Sequence, residues 1–459
     1  MITIVNPNKN IISLWNKYSY NANDVFRMMN YVISCEVNDT IILHNMVTGH
    51  TVSLDHVEKA AVLDLPRKYE PSMEQLIDCH FLVPIDYDEY QYVVGMLIVL
   101  RKLISISKGT SITHYTILPT TSCNARCYYC FEQGIKQITM TPQTINNVLE
   151  FIDAHCGIGK SIRISWFGGE PTVASKQISK ICEGLQSKGI DFASDITTNG
   201  YLFDSELVKL AVEKWNLKRA MICLDGTEKT YNRVKAYINA ADNPFYRVIH
   251  NIGLLVDNHV QVSVRMNFDL NNASEFVQLI AEIDKFFHNN PLISVSVHPI
   301  VGEYLDNDGV VAHASDSWFE KKVVELNDIA RKAGYLKSSK ELPSLNISGC
   351  QASDDSSITI TPEGNLVKCP EQIGTEQIVG NVKDGIVNHN MIQLWKEIST
   401  NKRCKECCLF PDCVKLNNCA TRDTCCYYSE MFNHYKTNII NTYMRYLENQ
   451  SKGVTCHVV

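Results

Sequence analysis

The sequence has no excess of basic charge, no apolar run long enough to cross a membrane, and no internal repeat or Pro/Gly-rich linker. Its 43 Lys and Arg against 50 Asp and Glu give a net charge of −7, which argues against a nucleic-acid or anionic-membrane binder. The first ten residues lack the basic segment and apolar stretch of a secretory signal. The most apolar run, 93–100, is too short to span a bilayer and predicts a buried helix. We therefore expect a cytoplasmic protein with neither nucleic acid nor membrane as a partner.

Cysteine, by contrast, is abundant, with 18 residues. Because cytoplasmic thiols stay reduced, clustered cysteines in a large chain indicate metal ligands or catalytic groups rather than disulfides. Twelve of them fall in two clusters, at 123–130 and 350–426. The others are scattered and are expected to be small buried hydrophobic side chains: Cys35, Cys79, Cys156, Cys182, Cys223 and Cys456.

The apolar pattern divides the chain into units, and a length of 459 residues predicts two to four of them. Between 113 and 300, β-branched strand patterns alternate with helical ones, which predicts an α/β fold with a parallel sheet and right-handed crossovers. Six such units are too few for a closed eight-stranded barrel. A partial (β/α)6 barrel is therefore expected, with strands at 114–119, 162–167, 192–197, 220–224, 260–268 and 293–299.

The first cysteine cluster directly follows the first barrel strand. Cys123, Cys127 and Cys130 are spaced C-x3-C-x2-C. Three thiolates leave one iron of a four-iron cluster free to bind a substrate or cofactor. The carboxyl ends of parallel strands are where such folds build active sites. A three-ligand zinc or structural thiol site is the alternative interpretation.

At this motif the chain resembles the radical S-adenosylmethionine (SAM) superfamily. The resemblance implies that SAM chelates the fourth iron of a [4Fe–4S] cluster and is cleaved to a 5′-deoxyadenosyl radical, with Tyr129 against the adenine. Gly168, Gly169, Glu170 and Pro171 resemble the motif that binds the amine of SAM. Polar residues at later strand ends are implied in binding the ribose and the methionyl carboxylate: Thr198, Asn199, Asp225, Arg265 and Asn267.

The second cysteine cluster resembles the SPASM extension of radical SAM enzymes, which holds two auxiliary [4Fe–4S] clusters. The resemblance implies that Cys404, Cys407 and Cys413 bind the outer cluster, with Cys425 or Cys426 as fourth ligand. It further implies that the inner cluster is bound by Cys350, Cys369 and Cys419. The chain departs from the family in having five residues between Cys413 and Cys419, and in offering no fourth cysteine between 350 and 369. We therefore hypothesise an open inner iron that binds a substrate thiolate. Zinc hairpins are the alternative.

The N-terminal region predicts two strands around a turn at 48–49, within 40–54. It resembles a winged-helix domain that takes an extended leader peptide at a strand edge, and 40–54 is the expected edge. We predict a winged-helix-like domain at 1–110, the barrel at 111–310, a bridging region at 311–340, a SPASM domain at 341–430, and a C-terminal helix and tail at 431–459.

These resemblances imply a peptide maturase that forms a thioether between a cysteine sulfur and a carbon of a ribosomally made precursor peptide. An external flavodoxin or ferredoxin would supply electrons. Three alternatives stay open: a carbon–carbon crosslinking maturase, a formylglycine-forming sulfatase-activating enzyme, and a zinc-stapled peptide-binding adaptor. The sulfatase-activating enzymes carry Asp after the cysteine that aligns with Cys369, where this chain has Pro370.

Overall fold

The structure is a computed structural model. It describes residues 3–6, 19–109, 111–240, 242–300, 316–336, 342–399, 401–413, 415–419 and 428–451. Cys425, Cys426 and Cys456, which the sequence analysis singled out, lie outside these ranges.

The N-terminal part contains two small antiparallel sheets. Its described elements are β1 Thr3–Asn6, β2 Val25–Met28, β3 Val32–Val37, β4 Thr40–Asn45, β5 Thr51–Leu54, β6 Arg67–Lys68, α1 Glu74–Asp78, β7 Leu82–Pro84 and α2 Glu89–Lys108. The two strands expected within 40–54 are present as β4 and β5, and Gly49 at their turn has a φ of +72°, a conformation that glycine adopts without strain. The winged-helix assignment and the domain boundaries stay predictions.

The strand edge expected at 40–54 is not an edge. The strand order of this sheet is β1-β5-β4-β3, so β4 and β5 are both paired on two sides. The prediction was wrong because β1 and β3, neither of which the sequence reading recognised, occupy the backbone donors and acceptors of that hairpin. The open backbone groups of this sheet belong to β1 and β3.

Helix α2 is longer and more exposed than the run at 93–100 predicted. Val93 and Leu97 are fully buried, but Ile98 and Val99 are each 57% exposed. The prediction of a buried helix was wrong because only one stripe of α2 packs against the core, at i and i+4 spacing. By length and composition Glu89–Ser107 is the one described segment that could cross a membrane, a criterion that packed helices of soluble proteins also meet.

The central part is the predicted barrel. Six parallel strands lie side by side in the order β8 to β13. The strands and the helices between them are β8 His114–Thr120, α3 Pro142–His155, β9 Ser161–Gly168, α4 Ser175–Ser187, β10 Asp191–Thr198, α5 Ser205–Glu213, β11 Leu217–Cys223, α6 Glu228–Lys235, α7 Pro244–Asp257, β12 Gln261–Phe268, α8 Phe276–Phe287 and β13 Ile293–Pro299. Buried and less buried side chains alternate along each strand, because one face of the sheet packs under the helices while the other lines the barrel interior. Ile164, Ile222, Val264 and Val295, on the helix side, are all fully buried.

The C-terminal part extends the barrel sheet. Its described elements are α9 Asp316–Lys332, β14 Ser357–Ile360, β15 Asn365–Val367, β16 Ile378–Asn381, β17 Gly385–Ile386, α10 His389–Leu394, α11 Lys402–Glu406, α12 Phe410–Cys413 and α13 Tyr428–Ser451. Strand β14 pairs in parallel with β8, and β15 to β17 follow as antiparallel strands. The result is one sheet of ten strands. The cysteine-rich region is thereby attached to the strand that leads into the first cysteine cluster.

The N-terminal and C-terminal parts share a hydrophobic core. Tyr31 and Ile42 of the small sheet pack in one cluster with Leu345, Phe410 and Ile439 from the C-terminal part. The buried side chain of His44 joins the same parts, since its Nε2 lies 2.8 Å from the carbonyl oxygen of Pro343. The two ends of the chain therefore form one packed body beside the barrel.

Candidate active site

The loop that carries the first cysteine cluster is held at both ends. The amide of Thr121 donates to the carbonyl of Ile138 at 2.9 Å, and the hydroxyl of Thr121 donates to Lys136 O at 2.8 Å. The amide of Glu170, at the end of β9, donates to Ser122 O at 2.9 Å. Backbone hydrogen bonds thus fix the loop at the carboxyl end of the sheet, as the sequence predicted.

The three thiols of this loop raise one another's pKa values. Burial raises the pKa of Cys123 to about 12, and the neighbouring Cys127 and Cys130 add to the rise. Burial likewise raises the pKa of Cys130 to about 11. Three such thiols in one buried pocket are costly as thiolates unless a positive metal centre compensates their charge. This donor set fits the predicted [4Fe–4S] cluster, which these three residues would hold and which, with SAM, supplies radical chemistry.

No group of three or more His, Cys, Asp or Glu side chains in the described ranges has the geometry to hold one metal ion. A cubane differs from a single ion because each thiolate binds a different iron, so its ligands need not converge on one point.

The glycines after β9 let two backbone segments approach closely. A Cβ on Gly168 would lie 2.4 Å from Thr120 O, and this residue has a φ of +104°. A Cβ on Gly169 would lie 2.5 Å from Ser122 O and 2.6 Å from Thr121 O. Both positions exclude a side chain because it would collide with the cluster loop itself.

We expect Gly169→Ala to push the cluster loop out of place and to lower SAM cleavage by at least ~10-fold, the scale of a misplaced reacting group. The rate of 5′-deoxyadenosine formation measures this. Gly95→Ala is the matched control, because nothing lies within 4 Å of its Cβ position in α2. That substitution should leave the rate unchanged and stabilise the helix by ~1 kcal/mol. Equal rates in the two variants would contradict the close approach.

Glu170 is fully buried and accepts four hydrogen bonds. They come from the amide and hydroxyl of Thr172, at 3.0 and 2.5 Å, from the hydroxyl of Thr198 at 2.7 Å, and from the amide of Asn199 at 2.7 Å. Burial raises the pKa of this carboxyl group, whereas the four donors lower it. Pro171 begins the short 3-10 turn Pro171–Ala174 that supplies the Thr172 donors. The predicted residues of β9 and β10 therefore form one connected group.

A second group joins Tyr129, Asp225 and Asn267. The hydroxyl of Tyr129 donates to Asp225, and Asn267 Nδ2 lies 3.1 Å from both the Tyr129 hydroxyl and Asp225 Oδ1. Lys235 completes it, since its Nζ is 2.6 Å from Asp225 Oδ2 and 3.1 Å from the Tyr129 hydroxyl. Burial lowers the pKa of Lys235, but the carboxylate of Asp225 and the thiol of Cys127 raise it well above its ordinary value.

Sequence reasoning missed Lys235. It lies at the end of α6, 106 residues from Tyr129, and belongs to no motif that the sequence analysis used. Its side chain is 4% exposed, and a buried lysine indicates a specific partner or function. The only signal in the sequence was a Lys at the end of a helix that follows the Asp225 turn.

Arg265 lies apart from this group. Its strand register aligns it with Cys223 on β11 and Ser296 on β13. The structure thus brings most of the predicted SAM-binding residues into two groups around the cluster loop, and places Arg265 two residues before Asn267 on β12.

In the C-terminal part, one trio of cysteines is brought together. Burial raises the pKa of Cys369 to about 12, and Glu371, Cys350 and Cys419 contribute to the rise. Cys369 and Cys419 also pack against the buried Trp395 and Leu416. Cys404, Cys407 and Cys413 lie along α11 and α12, and Cys404 is buried in the shared terminal core with Cys407 and Cys408 beside it. The ligand roles of all these residues stay predictions.

Comparison with known proteins agrees with this arrangement. Residues 117–283 match the family model of the Radical SAM superfamily. A GTP 3′,8-cyclase of Clostridium perfringens is 24% identical over 318 residues, which are 63% of this chain and 90% of that protein. The radical SAM cyclopropyl synthase TigE of Paramaledivibacter caminithermalis is 23% identical over 50% of this chain and 48% of its own length.

Among solved structures, anSMEcpe with bound AdoMet and the Cp18Cys peptide has a TM-score of 0.54 at 16% identity, covering 74% of this chain and 99% of its own. At 16% identity this similarity is evidence for a shared fold and not for a shared activity. The family match covers the barrel from within β8 through β12 and most of α8, with the cysteine loop, Gly168 to Glu170, Asp225, Lys235 and Asn267. This chain is therefore an enzyme that carries a radical SAM domain at 117–283, and members of that superfamily use SAM and a [4Fe–4S] cluster.

Proposed function

We propose that this enzyme is a cytoplasmic peptide maturase that forms a thioether between a cysteine sulfur and a carbon of a precursor peptide. The observation that carries the proposal is the gathering of Cys350, Cys369 and Cys419 beside the barrel. Three thiols can hold a four-iron cluster with one open corner, and soft iron prefers sulfur ligands. A peptide cysteine bound at that corner would lie next to the barrel in which the radical forms.

The attachment of this trio to the barrel supports the proposal. Cys350 precedes the 3-10 turn Gln351–Ser353, and Gln351 Nε2 donates to the hydroxyl of Thr116 in β8 at 2.8 Å. Cys369 follows β15, which is paired to β14 and through it to β8. Cys350 is exposed, so a ligand can approach the trio from solvent.

Lys368 provides positive charge beside these thiols. It is 4% exposed, and its Nζ donates to Asp354 O and Ser357 O at 2.7 Å each. A fixed ammonium group favours a negatively charged cluster with thiolate ligands. The second auxiliary cluster would be held by Cys404, Cys407 and Cys413, with Cys425 or Cys426.

The proposed reaction is balanced as an oxidation of the peptide. One C–H and one S–H bond break and one C–S bond forms, which releases two electrons and two protons. When bound, SAM would supply the radical that accepts one hydrogen atom. Cys350, Cys369 and Cys419 would hold a cluster through which the second electron would reach a flavodoxin or ferredoxin, and the thiol proton would go to water. The peptide seen in the anSMEcpe structure supports a peptide substrate for the shared fold.

A nucleotide substrate is the second candidate, favoured by the GTP 3′,8-cyclase that aligns over 90% of its own length. Carbon–carbon crosslinking and formylglycine formation also stay open, whereas the adaptor alternative does not agree with the radical SAM domain at 117–283. The formylglycine reaction is disfavoured because Pro370 stands in place of the expected Asp.

The proposal predicts a short cysteine-rich open reading frame beside the gene, and co-expression of the enzyme with that peptide tests it. We expect the peptide to lose ~2 Da per crosslink, as oxidation of one C–H and one S–H bond requires, and the modified cysteine to resist alkylation by iodoacetamide. Cys127→Ala is the negative control. A mass loss with every cysteine still alkylated would indicate carbon–carbon bonding. An unchanged peptide together with consumption of GTP would favour the nucleotide candidate.

A further inference from the structure

One row of side chains lies in the barrel interior directly below the group formed by Tyr129, Asp225 and Asn267. Along β11, β12 and β13, residues Cys223, Arg265 and Ser296 are laterally aligned. Their neighbours Ile222, Val264 and Val295 are fully buried under the helices, whereas the row itself is half-buried. Because side chains alternate along a strand, the row faces the barrel interior.

The guanidinium group of Arg265 forms no hydrogen bond or ion pair with any residue of the described ranges. Arg163 provides the contrast within the same interior, since its guanidinium pairs with Asp195 at 2.7 Å. A half-buried guanidinium without a partner is rare, because its five donors lose solvation.

The positive charge of Arg265 affects the pKa values of the neighbouring Cys223 and His298. Burial raises the pKa of Cys223, whereas Lys235 and, to a smaller extent, Arg265 lower it. Burial is the main cause that lowers the pKa of His298 to about 4, and the charge of Arg265 is the second cause. His298 aligns with Asn267 on the neighbouring strand, one step above the row. The barrel interior therefore holds a cation together with the hydroxyl of Ser296, and the imidazole of His298 lies at its solvent-exposed end.

We propose that Arg265, Ser296 and His298 form a subsite that binds a carboxylate of the peptide substrate. The planar fork of arginine matches a carboxylate through two parallel hydrogen bonds, and the hydroxyl and imidazole can donate further ones. We place SAM with the Tyr129 group at the carboxyl end of the strands, and Arg265 lies outside that group, two residues before Asn267 on β12. This assignment replaces the sequence-based role of Arg265 as a SAM carboxylate ligand, and it rests on the proposed peptide substrate.

Cys223 provides a built-in reporter for the subsite. The purified full-length chain is treated under anaerobic conditions, at low ionic strength and without SAM, with iodoacetate or with iodoacetamide. Mass spectrometry gives the alkylation rate at Cys223 for each reagent. Both reagents react with the same thiolate, so the fraction of Cys223 that is deprotonated cancels in the ratio of the iodoacetate rate to the iodoacetamide rate. This ratio therefore measures how strongly the site favours an anionic reagent.

We expect Arg265→Met to lower this ratio about five-fold, because a unit charge a few ångströms away is only partly screened in a half-buried site. Arg265→Lys should retain the ratio, which separates loss of charge from loss of fold. Lys209→Met removes a charge from the exposed outer face of α5 and should have no effect. An unchanged ratio in Arg265→Met would overturn the proposal.

Protection of Cys223 from iodoacetamide identifies the ligand. Acetyl-Ala-Glu-amide offers a side-chain carboxylate, acetyl-Ala-Ala offers a C-terminal one, and acetyl-Ala-Gln-amide offers none. We expect one of the first two to protect and the third to fail, which also tells the two sources of carboxylate apart. Protection by GTP alone, or by the neutral peptide equally, would overturn the proposal. Since alkylation requires no turnover, a negative result here is independent of whether the thioether reaction occurs.

Discussion

Replacing Cys127 by alanine abolishes reductive cleavage of SAM. Cys127 is one of three thiols on a loop that hydrogen bonds fix to the end of the sheet. Among the other cysteines of the described ranges, Cys223 at the end of β11 acts on Tyr129 of this loop. Loss of one thiolate leaves two ligands for a four-iron cluster, which is too few to retain it. We expect the rate of 5′-deoxyadenosine formation to fall at least ~1000-fold, equivalent to ~4 kcal/mol.

Iron and sulfide content, measured after anaerobic reconstitution, should fall together with the rate. Cys156→Ser is the matched control. That thiol is buried at the end of α3, where its Sγ lies 3.6 Å from Asp153 O, and serine can donate the same hydrogen bond. A Cys127→Ala variant that still cleaved SAM at the rate of the Cys156→Ser variant would refute the assignment of the loop.

Replacing Lys235 by methionine destabilises the barrel by ~3–5 kcal/mol, the scale reported for removing one partner of a buried ion pair. Asp225 is fully buried, and without Lys235 its negative charge keeps only hydrogen bonds from Tyr129 and Asn267. The midpoint of thermal unfolding of the cluster-free chain should fall by several degrees.

The double variant Asp225→Asn/Lys235→Met should recover most of that loss, because it no longer buries an uncompensated charge. Lys322→Met provides the surface control, since the pair between Lys322 and Glu325 is partly exposed on both sides. Its effect should stay within ~0.5 kcal/mol. If the double variant were no more stable than Lys235→Met, the ion pair would not explain the loss.

Sequence patterns predicted the barrel closely because each strand is a compact run of β-branched residues with an amphipathic helix behind it. The last strand was expected at 293–299 and is found as Ile293–Pro299. The cysteine loop and the Gly168–Gly169 turn could be recognised for a related reason. The cysteine loop depends on the spacing of three residues, and the glycine turn depends on two backbone segments packing closely. A short sequence motif is enough to indicate both features.

What the sequence did not disclose depends on contacts between distant segments. Lys235 has a role only because α6 ends beside Tyr129 and Asp225. The partner of β8 is β14, a four-residue strand too short for periodicity to identify. The exposed stripe of α2 and the interior position of β4 were missed because apolar composition does not say which neighbour covers which face.

The parallel pairing of β14 with β8 has a consequence for biosynthesis. Ser357 pairs with His114, so the growing chain must extend well past the barrel before β8 acquires its second neighbour. Until then β8 is an open edge that carries the future cluster loop, and open edges are sites of intermolecular association. Nascent chains would therefore be at their most aggregation-prone after the sixth barrel strand has left the ribosome and before residue 360 has emerged. Metal loading that waits for the full chain would avoid assembling a cluster on an unprotected edge.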